Sequence, residues 1–254
     1  ASLYNMMDSI FIGHGVGALG IAGLAVTFPF INLAAAFGSL VGVGASTLVS
    51  VKMGQKDLKS AEAVLGNVLL LNTVIGFLFM TVCLIFLDPI LYFFGASADT
   101  LPYARDYMKV ILYGNLITHI YMGLNEVMRA SGYPQRAMMA TLFAVLINGV
   151  LNALFIFVLD MGIKGAAIAS VLAEASSILF FLIYTYISVD LKKYGLNRLR
   201  SFDPALLMRI LSISCFTMLQ YFLSMATWFV FFVAVERLGQ RELAIANIVR
   251  SIYV

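Results

Sequence analysis

Charge is what this chain has least of. Only 11% of its 254 residues are Asp, Glu, Lys or Arg, against 62% hydrophobic ones, at a mean hydropathy of +0.97. A soluble domain carries about 25% charged residues and about 45–50% apolar ones, so the balance argues against a water-soluble enzyme. Nor does one sign dominate: 16 Lys and Arg against 13 Asp and Glu leave +3, too little to imply a nucleic-acid partner. Cysteine is scarce as well. Cys83 and Cys215 each lie inside an apolar run, which argues against a disulfide framework or a thiolate metal site. HExxH, P-loop, GxSxG and clustered Cys/His ligands are all missing, which counts against an intramembrane enzyme, a primary pump or a resident cofactor. What remains is an all-α, polytopic helical membrane protein whose partner is the lipid bilayer.

About 20 predominantly apolar residues cross a bilayer as a helix. Apolar runs between charged or Gly/Pro punctuation predict complete spans at roughly 21–51, 61–87, 107–128, 137–159, 165–189 and 210–235. Residues 1–13 and 243–254 read as two incomplete spans, so the expectation is a fragment cut inside a helix at both ends. The turns after the second, fourth and sixth of these eight spans, with their flanks, hold Lys52, Lys56, Lys59, Arg129, Arg136, Lys192, Lys193, Arg198, Arg200 and Arg209. The other turns hold only Arg105, Lys109, Lys164, Arg237 and Arg241. Positive charge marks the cytoplasmic side, which puts the start of the first helix in the cytoplasm and Asp8 in the outer half of the membrane.

The longest polar connection separates three units: 1–189, an N-terminal transmembrane lobe with its first helix cut short; 190–209, a cytoplasmic inter-lobe loop; and 210–254, the start of a C-terminal lobe. Residues 17–26 (GALGIAGLAV) and 239–248 (GQRELAIANI) each place a Gly turn before an Ala-rich helix start. Parallel repeats of this kind point to a six-plus-six transporter near twice this length.

An ionisable residue at the centre of a span costs roughly 2.5–3.5 kcal/mol on insertion scales, so each one needs a reason. Asp8 lies one turn from Tyr4; burial opposes its charge and polar neighbours support it, the combination for a carboxyl that takes and releases a proton. Asn148 and Asn152 share a helix face at i and i+4, serving either as helix glue or as a polar site. Ser170 and Glu174 repeat that spacing, and Glu174 is either a second protonatable group facing the bundle interior or a carboxyl paired with a basic residue. Glu126 is explained by Arg129 three residues on, and His119 reads as a packing histidine more readily than a proton relay. Residues 15–20 (GVGALG) fit GxGxxG literally, but no strand precedes them, so they read as a turn between helices. Ala34, Gly38, Gly42 and Ser46 form a small-residue ridge for close helix contact, and Pro29 marks a kink in the same span.

Four stretches together resemble the multidrug and toxic compound extrusion (MATE) family: 4–13 (YNMMDSIFIG), 47–57 (TLVSVKMGQKD), 128–136 (MRASGYPQR), and 148–157 (NGVLNALFIF) followed by 165–170 (GAAIAS). The resemblance covers essentially the whole chain. It implies a two-lobe, twelve-helix fold in the cell (inner) membrane, of which this chain is the first lobe and the start of the second. It also implies export of small organic, cationic or amphiphilic compounds in exchange for H+ or Na+ by alternating access, with no enzymatic step. Carried over residue by residue, the first-lobe cation site of one branch falls on Tyr4, Asp8, Asn148, Asn152 and Ser170, with Na+ at Asp8 where sodium is the coupling ion. The sequence departs from that branch at position 152, where Asn stands for the usual Asp, so one carboxylate is missing and Glu174 becomes the candidate for the second charge. The alternatives are a flippase-like exporter of lipid-linked cargo and a non-transporting receptor or scaffold. The spans hold almost no basic residues to line a lipid-phosphate cavity, which favours the drug exporter.

Overall fold

A computed structural model describes residues 2–187 and 203–236. Among them the chain is helical with no strand: α1 (Ser2–Gly15), α2 (Ala18–Gly54), α3 (Leu58–Ile85), α4 (Leu87–Phe93), α5 (Leu101–Ala130), α6 (Pro134–Asn152), a π-helical turn (Ala153–Val158), α7 (Gly162–Ile187) and α8 (Pro204–Glu236). Residues 190–202 of the expected inter-lobe loop (190–209), the expected final span at 243–254 and the second of the two matched repeats lie outside the described residues.

Each helix starts and stops for a local reason. Gly17, at φ +93°, makes the turn into α2, so the GxGxxG string is the helix–helix turn its context predicts. Asp57 caps α3: its carboxylate accepts from the Ser60 amide at 3.2 Å, the Ser60 hydroxyl at 2.6 Å and the Lys52 ammonium at 3.2 Å. Those bonds, the Ser60 hydroxyl's first, hold the Asp57 carboxyl below the ordinary carboxylate range. Pro102 and Pro134 sit in the opening turns of α5 and α6, where a missing N–H costs nothing.

Three predicted boundaries change. The seventh span begins at Pro204 rather than 210, so the last residues of the expected 190–209 loop are helical, Pro204 opening the helix. The fourth span begins at Leu101 rather than near 107, because Pro102 opens the helix despite the charged Arg105 and Asp106 that follow. The connection before it is not all loop, since α4 occupies Leu87–Phe93. The helix runs through Pro29, and at 37 residues α2 is about 55 Å long. Among the described residues four segments are long and apolar enough to cross a membrane: Ala18–Gly54, Gly66–Ile85, Pro134–Val158 and Gly162–Tyr184. Helix α5 is long enough but holds buried Asn115, His119 and Asn125.

Packing builds a bundle around α5, which touches α2, α3, α6 and α7. The ridge on α2 does what its spacing predicts. Gly38 faces Met122 and His119, and Gly42 faces Glu126 and Gly123, so side chains of α5 settle where α2 has no bulk of its own. Helix α8 packs on α2 at Gly44, where an added Cβ would lie 2.1 Å from Ser214 Oγ. Large apolar side chains cover the outside: Phe77, Leu146, Val150 and Leu182 are each more than half exposed. In water such a surface would aggregate; in lipid it is the solvated face.

The bundle has two ends. Ser50 Oγ donates to the Ala130 carbonyl at 3.4 Å, and the Asp203 amide donates to Asn67 Oδ1 at 3.1 Å. The end of α2, the start of α3, the end of α5 and the start of α8 therefore share one end. At the other, Arg105 forks onto Asp88 at 2.6 and 2.7 Å, and Lys164 pairs with Asp106 at 3.3 Å.

Candidate functional site

Helices α1, α5, α6 and α7 each contribute to one buried cluster. Asp8 stands seven residues before the end of α1 and is 2% exposed. Its Oδ1 accepts from Asn152 Nδ2 at 2.8 Å and from Asn148 Nδ2 at 3.3 Å. Its Oδ2 accepts from the Tyr107 hydroxyl at 2.9 Å and the Ser170 hydroxyl at 3.0 Å. The donors also hold one another: Asn148 Nδ2 reaches Ser170 Oγ at 2.9 Å, and Asn152 Nδ2 reaches Asn148 Oδ1 at 3.2 Å. Asn148 and Asn152 are fully buried.

The local sequence explains the convergence. The i, i+4 spacing puts both amides of α6 on the face toward α1. Gly149 between them lets α1 settle there, since an added Cβ would lie 2.7 Å from Met7 Cε. Gly15 does the same against the π-turn, where a Cβ would lie 2.1 Å from Ile156 Cγ2. The α-helix gives way to π geometry at Ala153, directly after Asn152. Such turns occur mostly as single insertions, frequently at functional sites.

Among the described residues no Lys or Arg reaches Asp8. Four donated hydrogen bonds replace a counter-ion, which is how a buried carboxylate is solvated without one. Asn152 Oδ1 is buried and without a partner, leaving one acceptor at the edge of a donor-rich site.

Of the residues singled out in the sequence, Asp8, Asn148, Asn152 and Ser170 come together. Tyr4 precedes Asp8 by one turn of α1, but its side chain lies outside the described residues. Glu174 is not bonded to Asp8. It lies one turn along α7 from Ser170, half-buried, and Oε2 accepts from Thr118 Oγ1 of α5 at 2.5 Å. No basic side chain pairs with it among the described residues. Glu126 does face Arg129, at 4.0 Å. His119 is fully buried against Gly38, Gly76 and Phe79, its Nδ1 bonded to the Asn115 carbonyl at 2.9 Å. Tyr107 is the participant the sequence reading omits. Nothing in the sequence marks it out from Tyr103, Tyr113 and Tyr121 of the same helix; its burial, which leaves the phenol in need of a polar partner, is seen only in the fold.

The sequence profile of the MatE family matches residues 1–154. The multidrug export protein MepA of Staphylococcus haemolyticus (strain JCSC1435) is 31% identical over 182 residues, 72% of this chain and 40% of that protein. Among solved structures, a MATE in the bent conformation superposes with a TM-score of 0.85 at 28% identity, covering 96% of this chain and 55% of that one. The outward-facing conformation of a multidrug resistance MATE family transporter of the MOP superfamily superposes at 0.82 and 28%, covering 96% and 54%. The chain thus spans about 40% of the length of the curated relatives it matches.

Proposed function

This chain belongs to the MatE family, and from that premise we propose that it forms the cation-coupling lobe of a multidrug exporter. In this reading the lobe works with a second one, as the greater length of its relatives supports. The transporter resides in the cell membrane and exchanges organic, cationic or amphiphilic compounds for an external cation bound at Asp8.

The observation that carries the reading is the set of four donors on Asp8 in a chain whose other described ion pairs lie toward helix ends. With the carboxylate ionised, α1, α5, α6 and α7 are tied to a single acceptor group. A proton arriving at Asp8 turns one acceptor oxygen into a donor, so at least one of the four bonds is surrendered. Asn152 takes the new donor if its amide turns over, because Oδ1 is otherwise unpartnered. The ties between α1 and its neighbours then loosen, and the balance between inward- and outward-facing states shifts by the difference in binding free energy. One positive charge crossing the membrane contributes about 2.3 kcal/mol per 100 mV, enough for a gradient of tens-fold.

The donor-rich geometry favours H+ as that cation. Na+ is the second reading, favoured by the same Asn152 oxygen: with both amides reversed, Asp8, Asn148, Asn152 and Ser170 would offer it an oxygen cage. Imposed gradients separate the two. In vesicles holding the native protein, a pH gradient without Na+ is expected to drive ethidium accumulation. A response to a Na+ gradient alone, at equal pH, would reverse the assignment.

A further inference from the structure

Glu174 is a buried-side carboxyl that the Asp8 site does not use. Among the described residues Asp57, Asp88, Asp106 and Glu126 each face a Lys or Arg. Glu174 faces a hydroxyl instead. Three helices carry polar groups along the seam it occupies. On α7 they are Ser170, Glu174 and Ser177; on α5, Tyr107, Thr118, Tyr121 and Asn125; on α6, Asn152, Asn148 and Thr141. The spacings are those of one helix face each. Gly114 brings α5 onto α7 midway, where a Cβ would lie 2.3 Å from Val171 Cγ2.

Hydrogen bonds continue the seam toward the end that holds Arg129. The Tyr121 hydroxyl and Thr141 Oγ1 are 3.0 Å apart, and Asn125 Nδ2 donates to Thr141 Oγ1 at 3.3 Å. Titratable groups in electrostatic reach of Glu174 are Asp8 on α1, Tyr107 and Tyr121 on α5, and the amino group of the chain; on α6 the Thr141 hydroxyl faces Tyr121. No Lys or Arg pairs with the carboxylate among the described residues.

We propose that Glu174 is a second proton-carrying carboxyl, which receives the proton Asp8 gives up and hands it toward the Arg129 end of the bundle along the α5–α6–α7 seam. The step conserves charge: Asp8–COOH and Glu174–COO⁻ become Asp8–COO⁻ and Glu174–COOH, with hydroxyls or water between them carrying the proton. Ser170, bonded to Asp8 and one turn from Glu174, marks the shortest route. Thr118, donating to Glu174, steadies the carboxylate before the proton arrives and must turn or shed that bond afterwards. This inference rests on Asp8 being the coupling carboxyl.

The test uses the native protein in lipid. Infrared titration should show two protonated-carboxyl bands, one lost in Asp8→Asn and the other in Glu174→Gln. The band surviving in Asp8→Asn should shift its midpoint by about 0.5 pH unit or more, since neighbouring carboxyls titrate as a pair. In proteoliposomes, pH-driven ethidium uptake should fall about tenfold or more in Glu174→Gln. Ethidium–ethidium exchange, which needs no net proton transfer, should stay within about twofold of native, and Glu174→Asp should restore driven uptake. Unchanged driven uptake in Glu174→Gln, or equal loss of uptake and exchange that Glu174→Asp does not repair, overturns the proposal. Driven uptake persisting in Asp8→Asn overturns the Asp8 reading instead. Should Glu174→Gln fail to insert, Thr118→Val keeps the acid and removes its hydroxyl; it must move the Glu174 band and slow driven uptake.

Discussion

Asp8 shows how a membrane protein keeps a carboxylate buried without a counter-ion. Each of its oxygens has two donors, drawn from three other helices and lying up to 162 residues from Asp8 in sequence. Removing one donor tests that account. Tyr107→Phe keeps the ring in its core, among Met108, Leu112 and Ile156, and deletes only the hydroxyl. The expected outcome is a loss of about 1.5–3 kcal/mol, the range for a hydrogen bond to a charged group, read as a lower Tm in detergent, with a several-fold slower proton-driven flux. An unchanged Tm and flux would mean that three donors suffice. Asp8, Asn148, Asn152 and Ser170 stood out singly in the sequence as polar residues in apolar runs, and the family resemblance implied that they share one site. Tyr107 did not stand out, since a tyrosine is as common at a membrane interface as in a buried site. Nor could spacing alone bring α1 and α5 together; that contact is made by packing.

At the scale of the element, the helices meet wherever glycine removes a side chain. Gly123 of α5 is the tightest buried case between α3 and α5: an added Cβ would lie 2.0 Å from Asn72 Nδ2 and 3.2 Å from Val68 Cγ1, and both side chains are fully buried. Gly123→Ala is therefore expected to cost about 1–3 kcal/mol, as overpacking does. Gly54→Ala at the exposed end of α2 meets nothing within 4 Å, and should leave thermal stability unchanged or slightly raised. Equal Tm values for the two variants would contradict the packing described. The ridge on α2 was readable because four small residues repeat at one spacing. The lone Gly114 and Gly123 were not, and neither was the π-turn, since Ala153–Val158 carries the same apolar composition as the helix it interrupts. Helix α4 escaped for a similar reason: seven residues with Asp88 and Pro89 read as punctuation between spans.

For the molecule as a whole, charge asymmetry and fold make a joint statement about sidedness. The α2–α3 and α5–α6 turns share the end rich in basic residues, and the α4–α5 turn lies at the other. In a cysteine-free background lacking Cys83 and Cys215, Gln55→Cys should react with a membrane-impermeant maleimide only from the cytoplasmic side, and Asp99→Cys only from outside. The reverse pattern would invert the orientation and place Asp8 in the cytoplasmic half. The helical bundle was largely legible from composition alone, because a span must be long and apolar wherever it occurs. The export reading depends instead on one group, so one measurement bears on it most directly: pH-driven ethidium uptake by the native protein and by Asp8→Asn, in vesicles matched for inserted protein. The account predicts that Asp8→Asn abolishes driven uptake while the helical content and insertion match native. Driven uptake at the native rate in Asp8→Asn would contradict it, and coupling would then have to be sought outside this lobe's buried cluster.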